Sequence, residues 1–466
     1  MRLAALLGAA IALAAPASAS AADLYVNAHA ARCSDAAGVA AAQDPATPWC
    51  TPGPASRLAA AGDVVHLASA TYGDQLRPLA SGTQSQPIVY QADGPVTLLA
   101  PAGTVTVMII GVHDVVLRGF TVKAAAKQAI WVDAASRITL DDDTVANSSG
   151  VGVQIKGGVG VTVSHSRLIN NARAGLLDMS EARDTTLSSS LVSANGHDGE
   201  RYDGDGVELD GTGALVTGNR ITRNGDSIGF EHGIYAGSSA RSYTISGNTI
   251  GGNAGADIKA AGGPALVVGN RLRSGLFGLV LSDNPAPITV EYNLIQGRFQ
   301  HGVLLTTGHA AARGRLWNNT VEQTGRSTSS GNASAVFVAS ATQLELRNNL
   351  IAYTNRDALG TALMINDRAL VGSFVSSTNW YSSTDSGRRR LAWNGARVTF
   401  GQWRHLSGQD ASSLDSRPPR FAASGRVAAG NIGIGRGTRL GLTRDFAGTP
   451  VDPSAHPDIG AFQRPA

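Results

Sequence analysis

Cysteine is nearly absent from this chain, which carries two, Cys33 and Cys50, among 466 residues. Two thiols cannot complete a zinc site, and no histidine pair stands at ligand spacing beside them, so a structural zinc module is excluded. Charge is scarce as well. Acidic and basic residues make up 16% of the chain and the formal net charge is +3, which leaves no electrostatic case for a nucleic-acid partner. Beyond the N-terminus, no apolar run is long enough to span a bilayer as a helix. The length would suit two or three ordinary domains, but all-β repeat folds routinely exceed that prior.

What the chain does have is glycine, 56 residues of it, with Asn, Thr and Val recurring at short spacing. The repeat is clearest in residues 203–263. There a short strand, Gly206-Val207-Glu208-Leu209, runs into a turn ending at Asn219. Gly233-Ile234-Tyr235-Ala236 leads in the same way to Asn248, and Asp257-Ile258-Lys259-Ala260 to Asn270. The pattern puts Phe120, Asp143, Ser166, Ser190, Asn293, Asn319 and Asn349 in the same phase. Most successive spacings are 22 to 26 residues, and the stretched ones fit coils that carry a loop insertion. If each copy is one coil of a helix of parallel strands, equivalent residues stack ~4.8 Å apart. In-phase Asn side chains can then bond from coil to coil. A β-sandwich accounts for neither the period nor the phase. The expected fold class is all-β, a parallel β-helix.

Strand alternation assigns the faces. Val207, Leu209, Ile234, Ile258, Leu279, Leu281, Val303, Leu305, Val336 and Val338 point inward. Trp131, Gln154, Glu208, Tyr235, Lys259, Val280, Leu304, Phe337 and Met364 point out along one groove, polar in its middle and apolar toward the C-terminus. Asp205 and His232 form a second column just ahead of the same strands, with His301 in phase two coils later. Two insertions, SANGHDGERYDGD and RITRNGDSIGFEH, immediately precede strands of the ionisable column. Long loops on a rigid scaffold are where function tends to sit.

At the N-terminus, Arg2, the apolar run Leu3–Ala15 and Ala17-Ser18-Ala19 read as a secretory signal over residues 1–22. The chain is then exported, and Cys33 and Cys50 read as a disulfide. LYVN at 24–27 reads as a first strand and Pro54–Ala61 as a short helix. The basic run Arg388-Arg389-Arg390 reads as a solvated loop rather than a polyanion site.

GDVVHLASATY at 62–72 is similar to a phrase that recurs in exported right-handed β-helix proteins, and DIGAFQ at 458–463 is similar to a DIGAYE-type tail common among them. With the repeat, these phrases make the chain resemble the right-handed parallel β-helix, pectate-lyase-like superfamily. The resemblance implies a right-handed helix over 23–380 with an N-terminal cap, and an irregular C-terminal capping extension over 381–466. It implies uronate-containing polysaccharide as the substrate class. It does not choose an activity, since the fold hosts lyases, glycosidases, epimerases, esterases and tailspikes. The Arg and vicinal Asp pairs of pectate lyases are absent, as are the Asp-Pro-His-Asp motif of alginate epimerases and the paired Asp of polygalacturonases.

Elimination or epimerisation of a uronate requires a group that neutralises the sugar carboxylate, a base for the C5 proton and, for elimination, an acid at the leaving oxygen. Lys259 and His232 are the candidate bases, Tyr235 the acid or partner, and Glu208 the neighbouring carboxylate. Arg273, Arg223 and Arg201 are nearby cations; Trp131 and Phe337 are sugar-stacking candidates. Asp203, Asp205 and Asp210, beside Glu208, are the acids that could share Ca²⁺, a hard ion that takes several carboxylate oxygens. Each has a bland reading: turn-forming Asp, a surface Lys ion pair, a structural His. The expectation is a secreted monomer, without a membrane span, acting on an anionic extracellular polysaccharide as a lyase or C5-epimerase. The alternatives are a glycoside hydrolase using two of Asp203, Asp205, Glu208, Asp210 and Glu231, or a glycan-binding surface protein without catalysis.

Overall fold

A computed structural model describes residues 21–464 except 125–126, 198, 200–203, 307–311, 326–332, 356–359, 367–372, 385–389 and 429. Residues 1–20 of the secretory signal, Arg201, Asp203, Arg388 and Arg389 therefore lie outside the described residues. Among those described, the strands form two sheets of 25 and 13 strands, each strand pairing with its counterpart one coil before and one coil after. The pairing is parallel throughout apart from a terminal hairpin, Leu391–Trp393 with Ala396–Val398. The chain is an all-β parallel solenoid of about eleven turns. From Ser136 to Ser383 each coil gives two consecutive strands to the broad sheet and one to the narrow sheet, as in Leu215–Thr217, Arg220–Thr222 and then Ile234–Ala236. No helix among the described residues is long and apolar enough to cross a membrane.

Short strands hold here because the first inward position of the narrow sheet is filled by an aliphatic side chain on coil after coil. Val207, Ile234, Ile258, Leu279, Val303, Val336 and Leu363 are all fully buried. They pair directly in register from coil to coil. Hydrophobic burial runs along the axis as one continuous stack, so each coil depends on its neighbours rather than on distant chain.

Turn chemistry provides the second ladder of contacts. Asn219, Asn248, Asn270, Asn293, Asn319, Asn349 and Asn379 stack in one corner. Each Nδ2 donates to the next Oδ1 at 3.0 Å. Each Oδ1 also accepts the backbone N–H of the preceding Asn. The expected row thus stands and extends one coil further, to Asn379. Toward the N-terminus it continues through Ser190, Ser166 and Asp143, whose Oδ1 accepts the Phe120 N–H at 2.8 Å.

A second row, not expected, runs along the corner that leads into the narrow sheet. Asn171, Asn195, Asn224 and Asn253 bond in sequence, and Asn253 ends on Asp257 Oδ1 at 3.2 Å. It fixes the backbone from which the candidate site strands emerge.

Both ends of the solenoid are covered. At the N-terminus, strand Asp23–Val26 pairs with Val64–Tyr72, and helix Pro52–Leu58 contacts both. Trp49 is fully buried there. Cys33 and Cys50 form the expected disulfide, with Cα atoms 4.9 Å apart across 17 residues of sequence. A loop of that length constrains the unfolded chain by about 3 kcal/mol. The paired Cys33→Ser and Cys50→Ser variant is expected to melt several degrees lower, with unchanged circular dichroism below the transition. An unchanged melting temperature would show that the cap is held by Trp49 and its packing alone.

The C-terminal extension expected over 381–466 contains the cap, but DIGAFQ is not part of that cap. The end of the solenoid is covered by helix Phe400–Ser407, started by a Thr399–Gln402 capping box. Its Trp403, fully buried, packs on Phe374, Tyr381 and Trp393. Residues 458–463 lie along the flank instead. Gly460 N–H donates to Asn348 O, Ala461 N–H to Thr320 Oγ1, and Ile459 packs with Leu350 and Trp380. Arg390 is also corrected: it is 6% exposed and paired with Asp415 at 2.6 Å, a fastener of the last coil rather than part of a solvated loop.

Candidate functional site

The narrow sheet carries the outward column read from the sequence. Its register is Met108, Trp131, Gln154, Leu177, Glu208, Tyr235, Lys259, Val280, Leu304, Phe337, Met364 and Ala392, one residue per coil. Glu208, Tyr235 and Lys259 are direct neighbours, so they span only ~10 Å. Trp131 and Phe337 each stand three coils from this trio, on opposite sides of it. Leu177, between Gln154 and Glu208, was missed by the sequence reading. The signal was present, as Leu176-Leu177-Asp178 occupies the strand position of its coil. The apolar end is less open than expected: Val280 is 5% and Met364 4% exposed, leaving Leu304 and Phe337 as its half-buried members.

Lys259 and Tyr235 are joined. The Lys259 ammonium lies 5.0 Å from the centroid of the Tyr235 ring, a cation–π contact. Burial lowers the Lys259 pKa from its ordinary value, while Asp205 and Asp283 push it back up. Burial and then the charges of Asp210, Asp205 and Glu208 raise that of Tyr235, which keeps its phenol protonated. A half-enclosed amine thus sits beside a phenol that retains its proton.

The second column is placed as expected but is not accessible. Asp205 and His232 occupy equivalent corners, Gly206 N–H donating to His232 O. They are 1% and 2% exposed. Asp205 Oδ1 accepts the His232 backbone N–H at 2.5 Å. Burial, then the charge of Glu208, hold the Asp205 carboxyl well above the usual carboxylate range. His232 Nδ1 accepts the Ala256 N–H at 2.9 Å, which leaves the ring proton on Nε2. Burial and then the Lys259 charge push its pKa down to about 3. This corrects the reading of His232 as a base: its one lone pair is occupied by backbone and its ring is enclosed. His301 lies in the same stack, three coils on rather than two. It is stacked on Phe277 at 5.9 Å and lies 4.7 Å from Phe337, a structural aromatic cluster behind the apolar end.

The remaining expected residues do not converge. Arg223 and Arg273 are exposed and belong to the broad sheet, Arg223 just past strand Arg220–Thr222 and Arg273 within Arg271–Ser274. The strand alternation that turns Leu272 inward puts Arg271 and Arg273 on the outside of that wall, so neither arginine belongs to the Glu208–Tyr235–Lys259 face. Glu231 is fully buried, and its Oε2 accepts the N–H groups of Asp226 and Ser227, both at 2.7 Å. It fastens a loop rather than facing a substrate. For calcium, the described residues do not fit. Asp205 is enclosed, Asp210 Oδ1 accepts the Ser239 hydroxyl at 2.7 Å, and Asp203 lies outside the described residues. Among the described residues no group of three or more His, Cys, Asp or Glu could hold a metal ion.

Comparison with known proteins bears on the fold. A family model described as right handed beta helix region matches residues 105–272 and 205–387. No curated protein matches the chain in sequence. Among solved structures, the complex of XylC with xylose superposes on 95% of this chain and 98% of its own, at 9% identity and a TM-score of 0.58. Pectate lyase Pel9A aligns over 96% and 97% of the two chains at 15% identity, with a TM-score of 0.42. The A-module of mannuronan C-5 epimerase AlgE4 from Azotobacter vinelandii aligns over 79% and 91% at 16% identity, with a TM-score of 0.44. At 9% identity the likeness to XylC speaks to the fold alone.

Proposed function

We propose, for a chain that belongs to the right handed beta helix family, that the outer face of its narrow sheet is a polysaccharide groove and that the exported protein is a lyase or C5-epimerase of a uronate polymer. The observation that carries this is the Lys259 ammonium, half-enclosed and stacked on Tyr235 at the middle of the column. An amine whose pKa burial has lowered can take the C5 proton, and the neighbouring phenol can give one to the C4 oxygen in elimination; epimerisation requires the returning proton to reach C5 from the opposite face of the ring. Glu208, one coil before Tyr235, borders the same ring position. Trp131 and Phe337 flank the trio along the direction in which a glycan chain would lie.

The hydrolase reading finds less support. A glycosidase needs two carboxyls that reach the sugar from either side. Asp205 and Glu231 are enclosed, and Glu231 is committed to backbone. Among the described residues that leaves Glu208 and Asp210, two residues apart at one strand end, with Asp203 outside those residues.

Product chemistry tests the proposal. Pectate, alginate and glucuronan are incubated with the protein, with and without chelator. A rise in ultraviolet absorbance marks an unsaturated uronate and elimination. Proton exchange at C5 without chain cleavage marks epimerisation. New reducing ends without ultraviolet absorbance would replace the proposal with hydrolysis. An unaltered polymer that still binds would leave a glycan-binding surface. Loss of activity with chelator would bring calcium back through Asp203.

A further inference from the structure

We infer that the loop between strands Arg220–Thr222 and Ile234–Ala236 is a preformed apolar platform for the face of a pyranose ring, with Phe230 as its specificity-determining residue. This deepens the reading of the groove and rests on it. The first observation is exposure. Ile228 is 73% and Phe230 38% exposed, two large apolar side chains within three residues on a surface where such residues otherwise occur mostly singly. A loop that only bridged two strands would have no reason to leave Ile228 largely open to water beside a partly open Phe230.

The second observation is rigidity. Glu231 Oε2 binds the Asp226 and Ser227 N–H groups, while Ser227 O accepts the N–H groups of Phe230 and Glu231 at 3.2 and 3.3 Å. The carboxylate is fully buried, and Gly204 packs so closely on it that a β-carbon there would stand 2.4 Å from Oε1. The loop is therefore stapled from within. A backbone held in one geometry lowers the ordering cost that a mobile loop would incur on binding.

The third observation is position. A β-carbon on Gly229 would stand 3.6 Å from Leu276 Cδ2. Leu276 precedes strand Phe277–Ser282, two coils beyond Ile234–Ala236. The loop thus runs along the solenoid axis past the strands of Tyr235 and Lys259, as a side wall to that part of the column. His232, two residues after Phe230, lies 5.8 Å from the Tyr235 ring. An aromatic body beside a polar column is what a sugar requires, with C–H groups on its faces and hydroxyls on its rim. The occupant is a pyranose unit of the glycan in the groove.

The test is equilibrium affinity, measured by calorimetry for wild type, Phe230→Ala, Phe230→Trp and Lys259→Ala against oligomers of galacturonate, mannuronate and xylose, with turnover assayed in parallel. Phe230→Ala is expected to weaken binding of whichever oligomer the wild type takes by about tenfold, with the melting temperature unchanged, and Phe230→Trp to keep the affinity. Unchanged affinity in Phe230→Ala, or no measurable affinity of the wild type for any oligomer, overturns the platform. If Lys259→Ala abolishes turnover while Phe230→Ala binds normally, the platform fails and the catalytic reading stands. If binding depends on Phe230 but the wild type yields no product, the platform stands and the catalytic reading fails.

Discussion

Lys259→Ala is expected to lose on the order of 10²-fold or more in turnover on the uronate polymer that the wild type processes, because it removes the base or the clamp on the substrate carboxylate. The fold should be unaffected. Lys259 points outward, and the core neighbours on its strand, Ile258 and Ala260, are untouched and fully buried. The variant should keep its circular dichroism and melting temperature. The pH profile separates the two roles. Burial lowers the Lys259 pKa below its ordinary value. As a base, the amine becomes competent as pH rises through that lowered pKa, so turnover should climb toward the alkaline side. As a clamp, it acts only while protonated, so turnover should fall over the same range. Asp283 supplies charge that raises the pKa, and Asp283→Asn should move the inflection to lower pH in either case. Wild-type turnover in a well-folded Lys259→Ala would show that the column is an ordinary surface row.

The site was legible as far as a strand period can carry it. Alternation alone placed Glu208, Tyr235 and Lys259 side by side, because a solenoid converts equal phase in sequence into contact in space. It failed wherever a loop decides the environment. Asp205 and His232 share one phase and do stack, yet nothing in the period says that they are enclosed. That depends on how the insertions fold back. The arginines failed for a related reason: Arg223 and Arg273 are close in sequence to the site strands but belong to another wall of the coil. The second Asn row had a visible signal, since Asn224 and Asn253 each follow a ladder Asn by five residues, as Asn195 follows Ser190. The tail was misplaced because an end of sequence is not an end of solenoid. Helix Phe400–Ser407, earlier in the chain, had already covered the core.

The second large effect concerns a buried acid far from the groove. Asp143 is 1% exposed and sits where later coils carry Asn. One carboxyl oxygen accepts the Phe120 N–H, while Oδ2 has no partner. Burial, opposed by that hydrogen bond and reinforced by Asp141 and Asp142, pushes its pKa up to about 8. In the unfolded chain it ionises near 3.9. Below about pH 4 the group is protonated in both states, and its burial carries no ionisation penalty. Between about pH 4 and pH 8 the unfolded chain is ionised while the folded one keeps its proton, so stability declines as pH rises. Above about pH 8 the penalty levels off, with a ceiling of about 6 kcal/mol. Asp143→Asn keeps the shape, cannot ionise and supplies an Nδ2 donor. By the register of Asn219, whose Nδ2 donates to Leu187 O, that donor should meet Leu117 O. The variant is therefore expected to match wild type near pH 4 and to exceed it by several kcal/mol at pH 8. Urea unfolding across that range measures both curves. Parallel curves would mean that Asp143 is ionised and satisfied in the folded state, and that the row tolerates a charge at its N-terminal end.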